Sequence, residues 1–207
     1  MIDKYLISNC LFVIEEFNER YRGKSKEELK RVADEEFSEA DLVMRLGYPF
    51  RQMASFNMQG KAQDIVVKSL DFVIEVKFLR NWKSTSGNTT NKITWKELNK
   101  DFEWLWNEIK GGQKGKRAFI IGWFNAVKFS EIVQLGKGSG WVPDIDEDKI
   151  RHFPFLNSNG PKTKDIFYMY PEAYKELPVK IPGYAYGVGN CMFFGKETDL
   201  YHMAMYW

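Results

Sequence analysis

Apolar residues at Leu6, Cys10, Val13, Ile14, Phe17 and Tyr21 recur at three- and four-residue steps, which predicts an amphipathic helix over 3–21. Arg22, Gly23 and Lys24 end it. Ser25 with Glu28 forms a capping box that opens a second helix. Its apolar stripe is Leu29, Val32, Ala33, Phe37, Ala40, Val43 and Met44, and it runs to Leu46 with a break near Ser38. Gly47 stops this helix and Pro49 forbids its resumption. Three short strand patterns follow: FRQMASF (50–56), DIVVK (64–68) and DFVIEVKF (71–78), with turns at 57–62 and 69–70. Residues 81–93 are dense in Ser, Thr, Asn and Gly and read as a loop. Thr94 with Glu97 caps a further helix, whose stripe is Leu98, Phe102, Leu105, Trp106 and Ile109. GGQKGKR ends it, and RAFIIGWF (117–124) is a buried strand. The order helix, helix, three strands, helix, strand predicts an α/β fold, a mixed central sheet flanked by helices.

Beyond residue 130 the pattern is less regular. GKGSG (136–140) and PDIDED read as loops, and GKGSG lacks the spacing of a phosphate-binding loop. The last third is rich in Tyr, Phe, Trp and Pro, with short strands at IFYMY, CMFFG and YHMAMYW. The expectation is a single domain over 1–207 with an aromatic-rich C-terminal elaboration over 126–207.

Composition narrows the class. With 44% hydrophobic residues the chain can bury a large core, and a net charge of +2 neither demands nor rules out a nucleic-acid partner. Cys10 and Cys191 form no CxxC pair; reduced thiols are the default, with a disulfide left open. His152 and His202 are too few and too isolated for a zinc site. No apolar run approaches the ~20 residues of a membrane span. Glu15 and Glu16 directly after CLFVI argue against a secretory signal, so a cytoplasmic location is expected.

The chemistry lies in the third strand. By alternation Phe72, Ile74, Val76 and Phe78 face the core, while Val73, Glu75, Lys77 and Leu79 share the other face. An isolated Glu-any-Lys is most simply an exposed ion pair. Here, however, Asp64 opens the preceding strand, and antiparallel pairing would bring it close to Glu75 or to the end of the strand that carries Lys77. Grouped carboxylates repel unless a cation lies between them, and oxygen donors suit magnesium or manganese.

These residues resemble the PD-(D/E)xK nuclease superfamily, the restriction-endonuclease-like fold. Asp64 matches its aspartate and Glu75-Val76-Lys77 its acidic-any-lysine element, with ten residues between them. GKAQDIVVKSLDFVIEVK is similar to the stretch G-x-x-D, apolar run, VEVK seen in several branches. Gln63 stands where the family usually has proline. The likeness covers roughly 30–125, a nuclease-like core. Glu39, in EADLVMRLGY, holds the place of the family's helix glutamate, with Glu35 its rival and a solvated helix residue the plain reading.

The resemblance implies a metal-dependent nuclease. Asp64, Glu75, Glu39 and the Val76 carbonyl would hold Mg2+, or Mn2+ in its stead, and Lys77 would stabilise charge on the phosphate. Lys61, Arg80, Lys83, Gln113, Lys114, Lys116 and Arg117 are the candidate contacts to nucleic acid, DNA being favoured over RNA. Trp82, Trp95 and Trp104 could stack on bases, although core filling is the simpler reading. Two rivals stand beside it. One is a non-catalytic binding module on the same fold, such as an immunity protein of a toxin system, using the aromatic C-terminal third as an interface. The other is a carboxylate glycosidase, which leaves Lys77 without a role. Oligomeric state, a homodimer included, stays open.

Overall fold

The computed structural model describes residues 2–56, 63–83, 90–92, 95–138, 144–160, 166–181, 183–184 and 188–207. Helix α1 (Ile2–Arg20) and Tyr21 directly after it bury the six stripe residues expected, from Leu6 to Tyr21. Gly23, with φ 79°, turns the chain. Helix α2 (Lys26–Arg31) opens on the expected box: the Glu28 N–H donates to Ser25 Oγ at 3.2 Å, and the Ser25 N–H donates to the Glu28 carboxylate at 2.8 Å.

The second helix is divided at the break expected near Ser38. A π-helical turn (Val32–Glu36) leads into an extended Phe37, and Ser38 caps a new helix α3 (Glu39–Gly47). Restarting the helix changes its phase. Leu42, Val43 and Leu46 are buried, whereas Ala40 and Met44, expected in the stripe, face outward. Pro49 sits in a 3-10 turn (Tyr48–Phe50), so the strand expected over 50–56 is only β1 (Ala54–Phe56).

Strand β2 (Ile65–Val67) passes through a 3-10 turn (Lys68–Leu70) and a left-handed Asp71 (φ 49°) into β3 (Phe72–Phe78). Within the expected loop, β4 (Asn81–Lys83) pairs with β5 (Thr90–Lys92). The Thr94 cap and the 57–62 turn lie outside the described residues. Helix α4 (Trp95–Glu108) buries Leu98, Phe102, Leu105 and Trp106, each burial favouring the fold by about 1.5–3 kcal/mol. It ends in a π-helical turn (Ile109–Gln113) before β6 (Arg117–Phe124). Short helices α5 (Phe129–Ile132) and α6 (Glu147–Ile150) follow, so PDIDED is partly helical. Then come β7 (Leu156–Ser158), β8 (Ile166–Tyr168), β9 (Leu177–Val179), β10 (Gly189–Phe194) and β11 (Tyr201–Tyr206).

Seven strands form one sheet in the order β1-β2-β3-β6-β11-β10-β9. β3 and β6 are parallel, joined by a crossover through α4, and all other pairs are antiparallel. The C-terminal third is therefore no appendage. It supplies three of the seven strands, and β11, buried throughout, lies beside β6.

One core packs α1, α2 and α3 against Ile65, Ile74, Val76, Phe78, Ile120 and Met203. The other packs α4 and the C-terminal segments against Phe119, Ile121, Trp123, Phe193 and Tyr206. Cys10 and Cys191 are both free, one in each core, so no disulfide joins them. The aromatic C-terminal residues expected at an interface mostly fill the second core. Phe193, for example, stacks on Phe155 and Tyr168 at centroid distances of 4.6 and 5.5 Å. Among the described residues no helix is long and apolar enough to cross a membrane.

Candidate functional site

The site arises because β3 is longer than its neighbour. β2 pairs Ile65 with Ile74 and begins there, while β3 continues four residues to Phe78. From Val76 onward the β2-facing edge of β3 has lost its ladder, and unpaired peptide donors are costly. Two carboxylates take their place. The Val76 N–H donates to Asp64 Oδ2 at 2.8 Å, and the Phe78 N–H donates to Glu39 Oε2 at 3.0 Å. Val76 presents its carbonyl to the same open edge as its N–H.

Asp64 immediately precedes Ile65, so the register sets it opposite Glu75, on the same sheet face as Glu75 and Lys77. Phe72, Ile74, Val76 and Phe78 are buried as alternation predicts; Val73, Glu75 and Lys77 are half-buried, and Leu79 is buried against α4. Glu39 arrives from the first turn of α3, where the helix dipole favours an anion. Ser38 fixes that turn: its hydroxyl donates to Asp41 Oδ2 at 2.6 Å and accepts from the Asp41 N–H at 3.4 Å. The rival Glu35 is exposed on the π-helical turn.

The sequence reading missed one member. Asp101 of α4 approaches Lys77, whose Nζ lies 3.7 Å from Asp101 Oδ2 and 3.5 Å from Glu39 Oε1. A signal was present: Asp101 stands three residues after Leu98 and four before Leu105, an acid on the flank of a buried stripe.

Four carboxylates thus surround one ammonium group. Burial, and then the charges of Asp64 and Asp101, push Glu75 up to about 8. Burial raises Asp64 to about 6, against the opposing pull of its Val76 hydrogen bond. Asp101 is also raised, chiefly by burial, although Lys77 pulls the other way. For Lys77, burial favours the neutral amine, but Glu39, Asp101, Glu75 and Asp64 together outweigh it and leave the ammonium above its usual value.

Among the described residues, Lys116 and Arg117 of the expected basic contacts lie apart from Lys77. Arg80 Nη1 lies 3.5 Å from the carbonyls of Asp34 and Phe37, bracing the break before α3. Lys116 pairs with Asp71 at 3.1 Å, and Arg117 with Glu108 at 2.7 Å. Arg117 is the register partner of Val73 while Lys77 faces Ile121, four residues or about 13 Å further along the strands. These two cations therefore make ion pairs away from Lys77. Gln113 ends the α4 turn, its Oε1 buried without a hydrogen bond, and Lys114 is exposed. Lys61 lies outside the described residues, and so do the side chains of Lys83 and Trp82. Trp95 packs edge-on against His152 at 5.1 Å and Trp104 lies against the second core, in keeping with core filling.

The donor set is oxygen-only, crowded and short of positive charge, which fits a hard divalent cation. The fit is one of chemistry and not of a finished shell: among the described residues no three His, Cys, Asp or Glu side chains stand ready around an ion position. Asp64 spends one oxygen on the Val76 N–H, and Glu39 divides its two between the Phe78 N–H and Lys77, leaving the second Asp64 oxygen and the whole Glu75 carboxylate as donors. Comparison of the chain with family models, with curated proteins and with solved structures finds no match.

Proposed function

We propose that this chain is a metal-dependent phosphodiesterase acting on nucleic acid, a nuclease of the PD-(D/E)xK type. The observation that carries the reading is that Asp64 and Glu75 share one sheet face at the open edge of β3, beside a Lys77 ion-paired to Glu39. Asp64, Glu75 and the Val76 carbonyl would hold Mg2+ or Mn2+, with Glu39 completing the set. Such an ion neutralises the scissile phosphate and lowers the pKa of a bound water. Lys77 carries positive charge toward the phosphate, where a fixed ammonium stabilises charge developing in the transition state. Glu39 orients that ammonium.

The test is incubation with plasmid, single-stranded DNA and total RNA in Mg2+, Mn2+ or EDTA. The reading expects metal-dependent cleavage, of DNA before RNA, that Lys77→Ala abolishes while the fold persists. Equal cleavage in EDTA, or by Lys77→Ala, would overturn it. One observation favours a second reading, a non-catalytic partner-binding module. The acids are tied to N–H groups and to Lys77, so they also serve to close the sheet edge. Absence of both cleavage and Mn2+ binding would select that reading.

A further inference from the structure

We infer that Asp101 is a positioning residue for Lys77, an inner anchor that holds the ammonium from α4 and leaves Glu39 free to exchange partners. The functional meaning of this inference rests on the nuclease reading; the anchoring itself does not. Lys77 reaches two acids that come from opposite layers of the protein. Glu39 belongs to α3, packed on one face of the sheet, and Asp101 to α4, packed on the other.

The two acids are not equivalent. The Glu39 side chain is 40% exposed and the Asp101 side chain 14%. Glu39 also spends Oε2 on the Phe78 N–H, whereas Asp101 Oδ2 is buried without any hydrogen bond. A carboxylate so placed needs a counter-charge, and the Lys77 ammonium stands 3.7 Å from it. Glu39 is thus the outer, solvent-side partner and Asp101 the inner wall.

The consequence concerns what happens when Glu39 turns away. A lysine held by Glu39 alone would regain the freedom of its four-carbon stem. With Asp101 behind it, the ammonium keeps one fixed partner and stays aimed at the open edge of β3. Small losses of alignment at a reacting centre are expensive in rate, so an inner anchor for the lysine has a clear use.

The experiment compares the parent with Asp101→Asn and Asp101→Glu in two independent readouts. In the first, all lysines are acylated at one pH without added metal, and modification of Lys77 is followed by peptide mass spectrometry. Buried Lys149, bound to the Gly136 carbonyl at 2.6 Å, serves as internal control. Asp101→Asn should speed Lys77 labelling by about threefold or more with Lys149 unchanged, because the released side chain spends more time in solvent, and Asp101→Glu should restore it. The second readout is cleavage kinetics, where Asp101→Asn should lower kcat by about tenfold with KM within about twofold. Unchanged Lys77 labelling, or equal acceleration at Lys149, overturns the anchor. Faster labelling with unchanged kcat overturns its functional meaning. If the parent does not cleave at all, the nuclease reading fails by itself and the labelling still decides the anchor.

Discussion

Replacing Glu75 by Gln should make the metal-free protein more stable at pH 8, although it removes a residue assigned to the working site. The reason is electrostatic. Burial and the neighbouring Asp64 and Asp101 raise the Glu75 carboxyl from the ordinary 4.5 to about 8. A raised acid binds its proton more tightly in the folded than in the unfolded chain. Below about pH 4 the carboxyl is protonated in both states and contributes nothing to the pH dependence. Between 4.5 and 8 the unfolded chain has given up the proton and the folded chain keeps it, so stability falls as pH rises. Above about 8 the cost is complete. At 1.36 kcal/mol per pH unit the interval corresponds to roughly 5 kcal/mol, and solvent screening at this half-buried site reduces it to roughly 2–3 kcal/mol. For a chain of this length each kcal/mol moves Tm by about 2–4 °C. Thermal melts of Glu75→Gln in EDTA should therefore lie about 4–12 °C above the parent at pH 8 and converge with it near pH 4. A melting temperature at or below the parent's at pH 8 would refute the claim that uncompensated negative charge crowds this edge.

Further outcomes follow from the same geometry. Ser38→Ala removes the cap that sets the first turn of α3 and should cost about 1 kcal/mol, read by denaturant titration. Because Glu39 is the first residue of that turn, the variant should also lose cleavage activity in excess of its loss of fold. Gly122→Ala tests the packing behind the site: a Cβ there would meet the Tyr201 hydroxyl, and Leu42 Cδ2 at 2.9 Å. It should lower stability by about 1–3 kcal/mol, and a melt within about 1 °C of the parent would contradict that packing. Saturating Mg2+ or Mn2+ should raise the parent's Tm and raise that of Glu75→Gln much less, since ion binding stabilises only the folded chain.

Much of the architecture was legible because it is local. The α1 stripe, the α4 stripe and the alternation along β3 each rest on one period held over two or more turns or four or more strand residues. The pairing of Asp64 with Glu75 was legible for a related reason, since a short connection between two strands constrains their register. What escaped depends on distant partners or on a local exception. The break near Ser38 was expected but not its phase: the restarted helix carries Leu42 and Leu46 inward in place of Ala40 and Met44. β11 is central because β6 and β10 flank it, which no property of YHMAMY alone dictates. Lys116 and Arg117 looked available to a phosphate until Asp71 and Glu108 were found beside them. Asp101 was visible as an acid beside an apolar stripe, but its partner Lys77 is known only once α4 is laid across β3.

Calorimetric titration of Mn2+ into the parent and into Asp64→Asn tests the central claim most directly. The account predicts saturable binding by the parent, with a proton released as Glu75 gives up its hydrogen, and loss of that binding in the variant. Identical titration curves for the two proteins, or no uptake by the parent, would contradict it.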